Sequence, residues 1–138
     1  MFIVKIFLCA AVGYLLGCVN ISILISRAFF RKDVRSCGSG NAGATNMARV
    51  FGWKLGLLVL CCDTAKAAFA LSFASCLSGD CGLLSAGSAC LLGHCFPVFH
   101  GFRGGKGVSV GLALAFGIDW RVGLVCVACF LLTTLFSH

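Results

Sequence analysis

The sequence predicts an all-α fold, a polytopic helical bundle set in a membrane, on three observations. Of 138 residues, 60% are hydrophobic and the mean hydropathy is +1.06, more apolar surface than a water-soluble chain of this size needs to bury. Only 11% are charged, with four Asp and no Glu. The apolar residues also fall into runs of membrane-spanning length.

Ile6–Ser26 holds 21 residues without a charge, against the ~20 that a helix needs to cross a bilayer core. A secretory leader has a core of only ~7–15 residues and a small-residue cleavage site, neither of which fits here. Leu55–Ser78 predicts a second span, Gly79-Asp80 a short turn, and Cys81–Phe99 a third span. Val108–Ile118 is apolar but too short to cross unaided, so it reads as a half-helix or re-entrant piece. Asp119-Trp120-Arg121 interrupts the pattern, with Trp120 suited to an interface. Val122–Phe136 begins a further span, which stops at Ser137-His138. The organisation expected is one membrane domain over residues 1–138. Its spans are 6–26, 55–78 and 81–99, with a short helix at 108–118 and the start of another span at 122–136. Loops occupy 27–54 and 100–107.

The net charge of +7 is concentrated. Arg27, Arg31, Lys32, Arg35, Arg49 and Lys54 share the first loop with Asp33 alone. Basic loops stay on the cytoplasmic side, so both loops are expected there and the amino terminus outside. Orientation accounts for Arg27, Arg31 and Lys32 but not for Arg49, which lies beyond a glycine-rich stretch. No nucleic-acid partner is expected.

Most of the eleven cysteines sit beside Leu, Val, Ala and Phe, where free Cys acts as a small hydrophobe. Cys126-Val-Ala-Cys129 has a metal or redox spacing, but it lacks a second pair, a polar flank and a nearby His. No metal and no cofactor are expected.

Chemistry is concentrated in two glycine-studded loops, Gly38–Asn46 (G-S-G-N-A-G-A-T-N) and Gly101–Gly107 (G-F-R-G-G-K-G). Each leads into a helical segment and carries cations nearby, the chemistry of anion capture. Gly38, Gly40 and Gly43 give a G-x-G-x-x-G pattern, and Asp63 lies twenty residues beyond Gly43. A dinucleotide site would need a buried strand before that loop, and Arg31–Cys37 is charged and short. The second loop is not a Walker A sequence: its glycines are one residue too close, and Gly107 replaces the Ser or Thr.

A phosphate reading fits both loops. Thr45 or Asn46 is expected to cap a helix through Met47–Val50, with Arg49 on the same face as Thr45. The Ser39 and Thr45 hydroxyls and the Arg49 guanidinium would then meet an anion. Arg103 and Lys106 flank Gly104, Gly105 and Gly107, whose backbone can approach a ligand closely. Two such loops suggest two phosphorylated ligands brought together. His94 reads as an interface residue near the end of its span, and Asp63 and Lys66, three apart, as an ion pair facing the bundle.

S-G-N-A-G-A-T-N followed by Arg49, and G-H-C-F-P-V-F-H-G-F-R-G-G-K-G-V from Gly93 to Val108, resemble the first two signature motifs of the bacterial PlsY acyltransferases. The resemblance covers essentially the whole chain, including Asp63-x-x-Lys66. It implies transfer of a fatty acyl group from acyl-phosphate to glycerol-3-phosphate, giving 1-acyl-glycerol-3-phosphate (lysophosphatidic acid) for phospholipid synthesis in the bacterial cell membrane. It assigns Ser39, Asn41, Thr45, Asn46 and Arg49 to the acyl donor. Gly104, Gly105, Lys106 and Gly107 would serve the acceptor, with His94 and Arg103 nearby. Ser39, Arg49 and Lys106 are the catalytic candidates, and membrane lipid is the surroundings. Arg103 stands where the family usually has Lys. Family members carry a third motif of His, Arg, Asn and Glu, which this chain does not match. The expectation is therefore a C-terminally truncated form of a seven-helix fold, whose activity is a matter for assay.

The reaction needs no covalent acyl-enzyme, because an acyl-phosphate is already activated. Positioning and stabilisation of the departing phosphate suffice. An anion transporter with discontinuous helices would want a counterpart loop at the other face, and a purely structural membrane protein would not need paired glycine loops.

Overall fold

The computed structural model describes residues 1–136. Every regular element among them is a helix: α1 (Phe2–Cys18), α2 (Ile21–Phe30), α3 (Ala44–Phe51), α4 (Trp53–Cys95), α5 (Val108–Ile118) and α6 (Trp120–Phe136). Short 3-10 turns occupy Val34–Ser36 and Val98–His100. Helical stretches 2–30 and 53–100 are long and apolar enough to cross a membrane. Ser137 and His138, where the last expected span stops, lie outside the described residues.

The first apolar run is two helices. Asn20 caps α2, its Oδ1 accepting the Ile23 N–H at 3.1 Å, and Val19 before it is extended. Asn20 is fully buried, and its Nδ2 donates to the Ala42 carbonyl of the first glycine loop at 3.2 Å. A buried amide needs such partners. Finding them here breaks the helix and ties it to the loop.

α4 consists of two arms joined at Ser78 and Gly79, one residue before the expected turn. Gly79 has φ 59° and ψ −148°, a conformation that is essentially restricted to glycine. The arms fold back on each other so closely that a Cβ on Gly82 would strike the Ala74 carbonyl. α1 lies against the second arm, where a Cβ on Gly13 or Gly17 would strike the carbonyl of Ala86 or Cys90. That matching order makes α1 and the second arm parallel. Small residues permit such backbone contact, the usual device of helices that associate in lipid.

Three buried clusters stack through the bundle. Cys9, Ala74 and Ala86 form one; Ala67, Ala70, Cys90 and Val110 the next; Ile23, Val34, Ala42, Met47 and Val59 the third. The third contains Ala42 of the first glycine loop and Val34 just before it, so it supports that loop. α5 packs on α4 through Gly87, where a Cβ would strike Leu114, and α6 packs on α5 through Gly123 against the Phe116 ring.

Candidate active site

The first glycine loop is organised from within by Asn46. Its Oδ1 accepts the Ser39 N–H at 2.9 Å, and its Nδ2 lies 3.0–3.1 Å from the carbonyls of Val34, Cys37 and Asn41. Gly38 (φ 57°) turns the chain around this amide, and a Cβ there would strike Asn46 Oδ1. α3 begins at Ala44, with Gly43 as its N-cap and no side-chain cap. Neither Thr45 nor Asn46 caps it, contrary to expectation. Asn46 is already inside the first turn, and its amide is taken up by the loop.

The second loop folds back onto the end of α4. The Gly104 N–H donates to the Cys95 carbonyl and the Gly105 N–H to the His94 carbonyl, both at 3.0 Å. These amides satisfy helix-end carbonyls and so are not free to bind an anion. A Cβ on Gly105 would strike His94 Nε2 and lie 2.7 Å from the Ala42 carbonyl, so the two loops touch there. Gly107 (φ 74°) is the N-cap of α5, again without a side-chain cap.

Arg35 straps the loops together. Its Nε and Nη2 grip the Asp33 carboxylate at 3.0 and 2.8 Å, and Nη1 donates to the carbonyls of His100 and Arg103 at 2.7 and 2.9 Å. Arg27 also pairs with Asp33, at 2.7 Å. The Arg35 fork, aided by Arg27, holds the Asp33 carboxyl well below the usual carboxylate range. Asp33 in turn raises Arg35.

Between the loops lies a cavity of about 970 Å³. Its polar end is lined by Ser39, Asn41, Thr45, Arg49, His94 and Lys106, and its apolar wall by Leu60, Leu112, Val127 and Phe130. The uncapped starts of both α3 and α5 line it, through Gly43 and Gly107. Arg49 and Lys106 are exposed to it and have no ion pair among the described residues. Two helix starts and two cations facing one space make a strong anion site. Beneath it, the expected Asp63–Lys66 pair is present at 2.8 Å, with His94 Nδ1 3.1 Å from the Lys66 ammonium. Asp63 Oδ1 meets that ammonium as a charge contact, without an aligned hydrogen bond.

The family model described as Glycerol-3-phosphate acyltransferase matches residues 7–138. The chain belongs to the glycerol-3-phosphate acyltransferase family. A family member from Jannaschia sp. (strain CCS1) is 44% identical over 126 residues, covering 91% of this chain and 62% of that protein. One from Thermoanaerobacter pseudethanolicus is 38% identical over 121 residues, covering 88% of this chain and 61% of its own length. This chain thus spans about three fifths of the curated relatives it matches. The fold is similar to the crystal structure of PlsY, described as an integral membrane glycerol 3-phosphate acyltransferase, in its glycerol 3-phosphate form. That likeness has a TM-score of 0.79 and 37% identity, covering 87% of this chain and 60% of the other. The lysophosphatidic acid form of PlsY gives a TM-score of 0.75 at 35% identity over the same shares. The all-helical integral membrane architecture is therefore that of the family, at the length this chain covers.

Of the candidate site residues, Ser39, Asn41, Gly43, Thr45, Asn46, Arg49, His94, Lys106 and Gly107 line this cavity. Gly38, Gly40, Gly104 and Gly105 shape the loops from behind it, and Arg103 is exposed outside the lining. Sequence reasoning missed Asn20, the Arg35 strap and the apolar wall from α6. Asn20 carried a signal, as a lone amide inside an apolar run. The strap did not, since its acceptors are backbone carbonyls 65 and 68 residues away.

Proposed function

We propose that the chain binds acyl-phosphate and glycerol-3-phosphate in this cavity and transfers the acyl group to the glycerol hydroxyl. The reading is carried by two uncapped helix starts, joined by Arg49 and Lys106, opening on a space with an apolar far wall. The phosphates belong at the helix starts and cations, and the acyl tail against Leu60, Leu112, Val127 and Phe130. Held so, the acceptor hydroxyl oxygen bonds to the acyl carbon, the bond to phosphate breaks, and the proton leaves with the phosphate. Arg49 and Lys106 stabilise the charge that develops on the departing group, and Ser39 hydrogen-bonds it from the first loop. Ser39 has no bond to a His or carboxylate among the described residues, in keeping with binding rather than nucleophilic attack. The site belongs at the cytoplasmic face of a bacterial cell membrane, with the amino terminus outside and both glycine loops within.

The test is to incubate membranes containing the chain with acyl-phosphate and labelled glycerol-3-phosphate. Labelled 1-acyl-glycerol-3-phosphate, absent from Arg49→Gln membranes, is the expected product. Uptake of label into vesicles without acylation would favour transport instead, and the absence of both acylation and uptake would count against the reaction.

A further inference from the structure

Asp63, Lys66 and His94 form a polar cluster under the cavity that the reaction as proposed does not use. The Lys66 ammonium lies 2.8 Å from Asp63 Oδ1, 2.7 Å from the Val19 carbonyl, 3.1 Å from His94 Nδ1 and 3.4 Å from the Gly17 carbonyl. An ammonium carries only hydrogens to donate and no acceptor. A proton on Nδ1 would point at those hydrogens, so Nδ1 is the accepting nitrogen. Asp63 Oδ1 stands 3.7 Å from Nδ1, beyond hydrogen-bond length, and offers that nitrogen no competing acceptor. A neutral imidazole with Nδ1 bare carries its proton on Nε2. Asp63 balances the Lys66 charge inside the bundle, as a buried ion requires.

The other ring nitrogen faces the ligand space. His94 is only 2% exposed yet lines the cavity. Its Nε2 sits against Gly105, where a Cβ would strike it. Nε2 has no hydrogen-bond partner among the described residues, whereas Nδ1 has one. Nε2 is not sealed off as the His100 Nδ1 atom is, so a hydrogen on it is open to an acceptor in the cavity that His94 lines.

We infer that Lys66 locks His94 as its Nε2–H tautomer and so makes it a hydrogen-bond donor to a phosphate oxygen in the cavity, not the base that takes the acceptor's proton. The identity of the phosphorylated ligand rests on the function proposed above; the tautomer does not. Lys66 acts here as a positioning residue, through His94 alone.

Nitrogen-15 NMR of histidine-labelled protein in lipid nanodiscs tests this, with His100→Gln and His138→Gln leaving His94 as the sole imidazole. The expected spectrum has a protonated Nε2 and a bare Nδ1, and added inorganic phosphate or glycerol-3-phosphate shifts the Nε2–H resonances. The paired change Asp63→Asn with Lys66→Met removes the ammonium without stranding a carboxylate, and should let the Nδ1–H form appear. Should that variant not fold, Lys66→Arg must keep the Nε2–H form. A proton on Nδ1 in the parent protein, or on both nitrogens, overturns the inference. So does a folded double variant with an unchanged tautomer, or an Nε2–H blind to phosphate. Acyl transfer assayed on the same preparation separates the two ideas, since a phosphate-responsive Nε2–H without product counts against the reaction alone.

Discussion

Arg49 and Asn46 are three residues apart on α3, and the fold puts them to opposite uses. Arg49 reaches the cavity with no protein partner among the described residues, while Asn46 turns inward to four backbone groups. A hydrogen bond to a charged group contributes ~1.5–3 kcal/mol, or roughly ten-fold to a hundred-fold in affinity. Arg49→Gln should weaken acyl-phosphate binding, and Lys106→Gln glycerol-3-phosphate binding, each by about that factor in calorimetric titration, with the thermal midpoint unmoved. Asn46→Leu should do the reverse and lower stability by ~3 kcal/mol or more, since each buried polar group left unpaired costs ~1–3 kcal/mol; thermal unfolding in detergent reads it. The sequence places Asn46 in the first glycine loop. It does not show that the amide is taken up by the loop's own backbone, because the carbonyls of Val34, Cys37 and Asn41 gather around it only once Gly38 has turned the chain.

At the scale of elements, the apolar runs and the glycine turns were legible because each is written locally, in composition and in a residue such as Gly79. The break at Asn20 and the strap at Arg35 were not, because their partners come from distant segments. The strap has a pH signature. Asp33 is held well below its ordinary value, which for an Asp is about 3.9. A carboxyl depressed on folding stabilises above its unfolded pKa, and that contribution disappears as pH falls through the folded one. The loops should therefore keep this contribution from neutrality down to about pH 5 and lose it progressively below about pH 4. Asp33→Asn should flatten that part of the thermal midpoint's pH profile and lower the midpoint at neutral pH. A variant profile with the parent's acid slope would exclude Asp33 as its source.

For the whole molecule, the decisive relation is that α1 and the second arm of α4 run parallel, Gly13 against Ala86 and Gly17 against Cys90. Whatever compartment receives the end of one receives the end of the other. The first glycine loop follows α1 and α2, and the second follows α4, so one cavity can draw on both without a segment doubling back across the bilayer. Basic residues crowd the segment between α2 and α4, and Lys5 sits near the opposite end of α1. An amine reagent that cannot cross membranes should thus modify Lys32 and Lys106 from the same side, the cytoplasmic one in inverted vesicles, and Lys5 only from the other. Lys66, held by Asp63 and the Val19 carbonyl, should resist from both sides. Mass spectrometry of the labelled peptides reads all four sites in one experiment. Modification of Lys32 and Lys106 from opposite sides would separate the two uncapped helix starts by a bilayer and leave no shared site where a donor and an acceptor could meet.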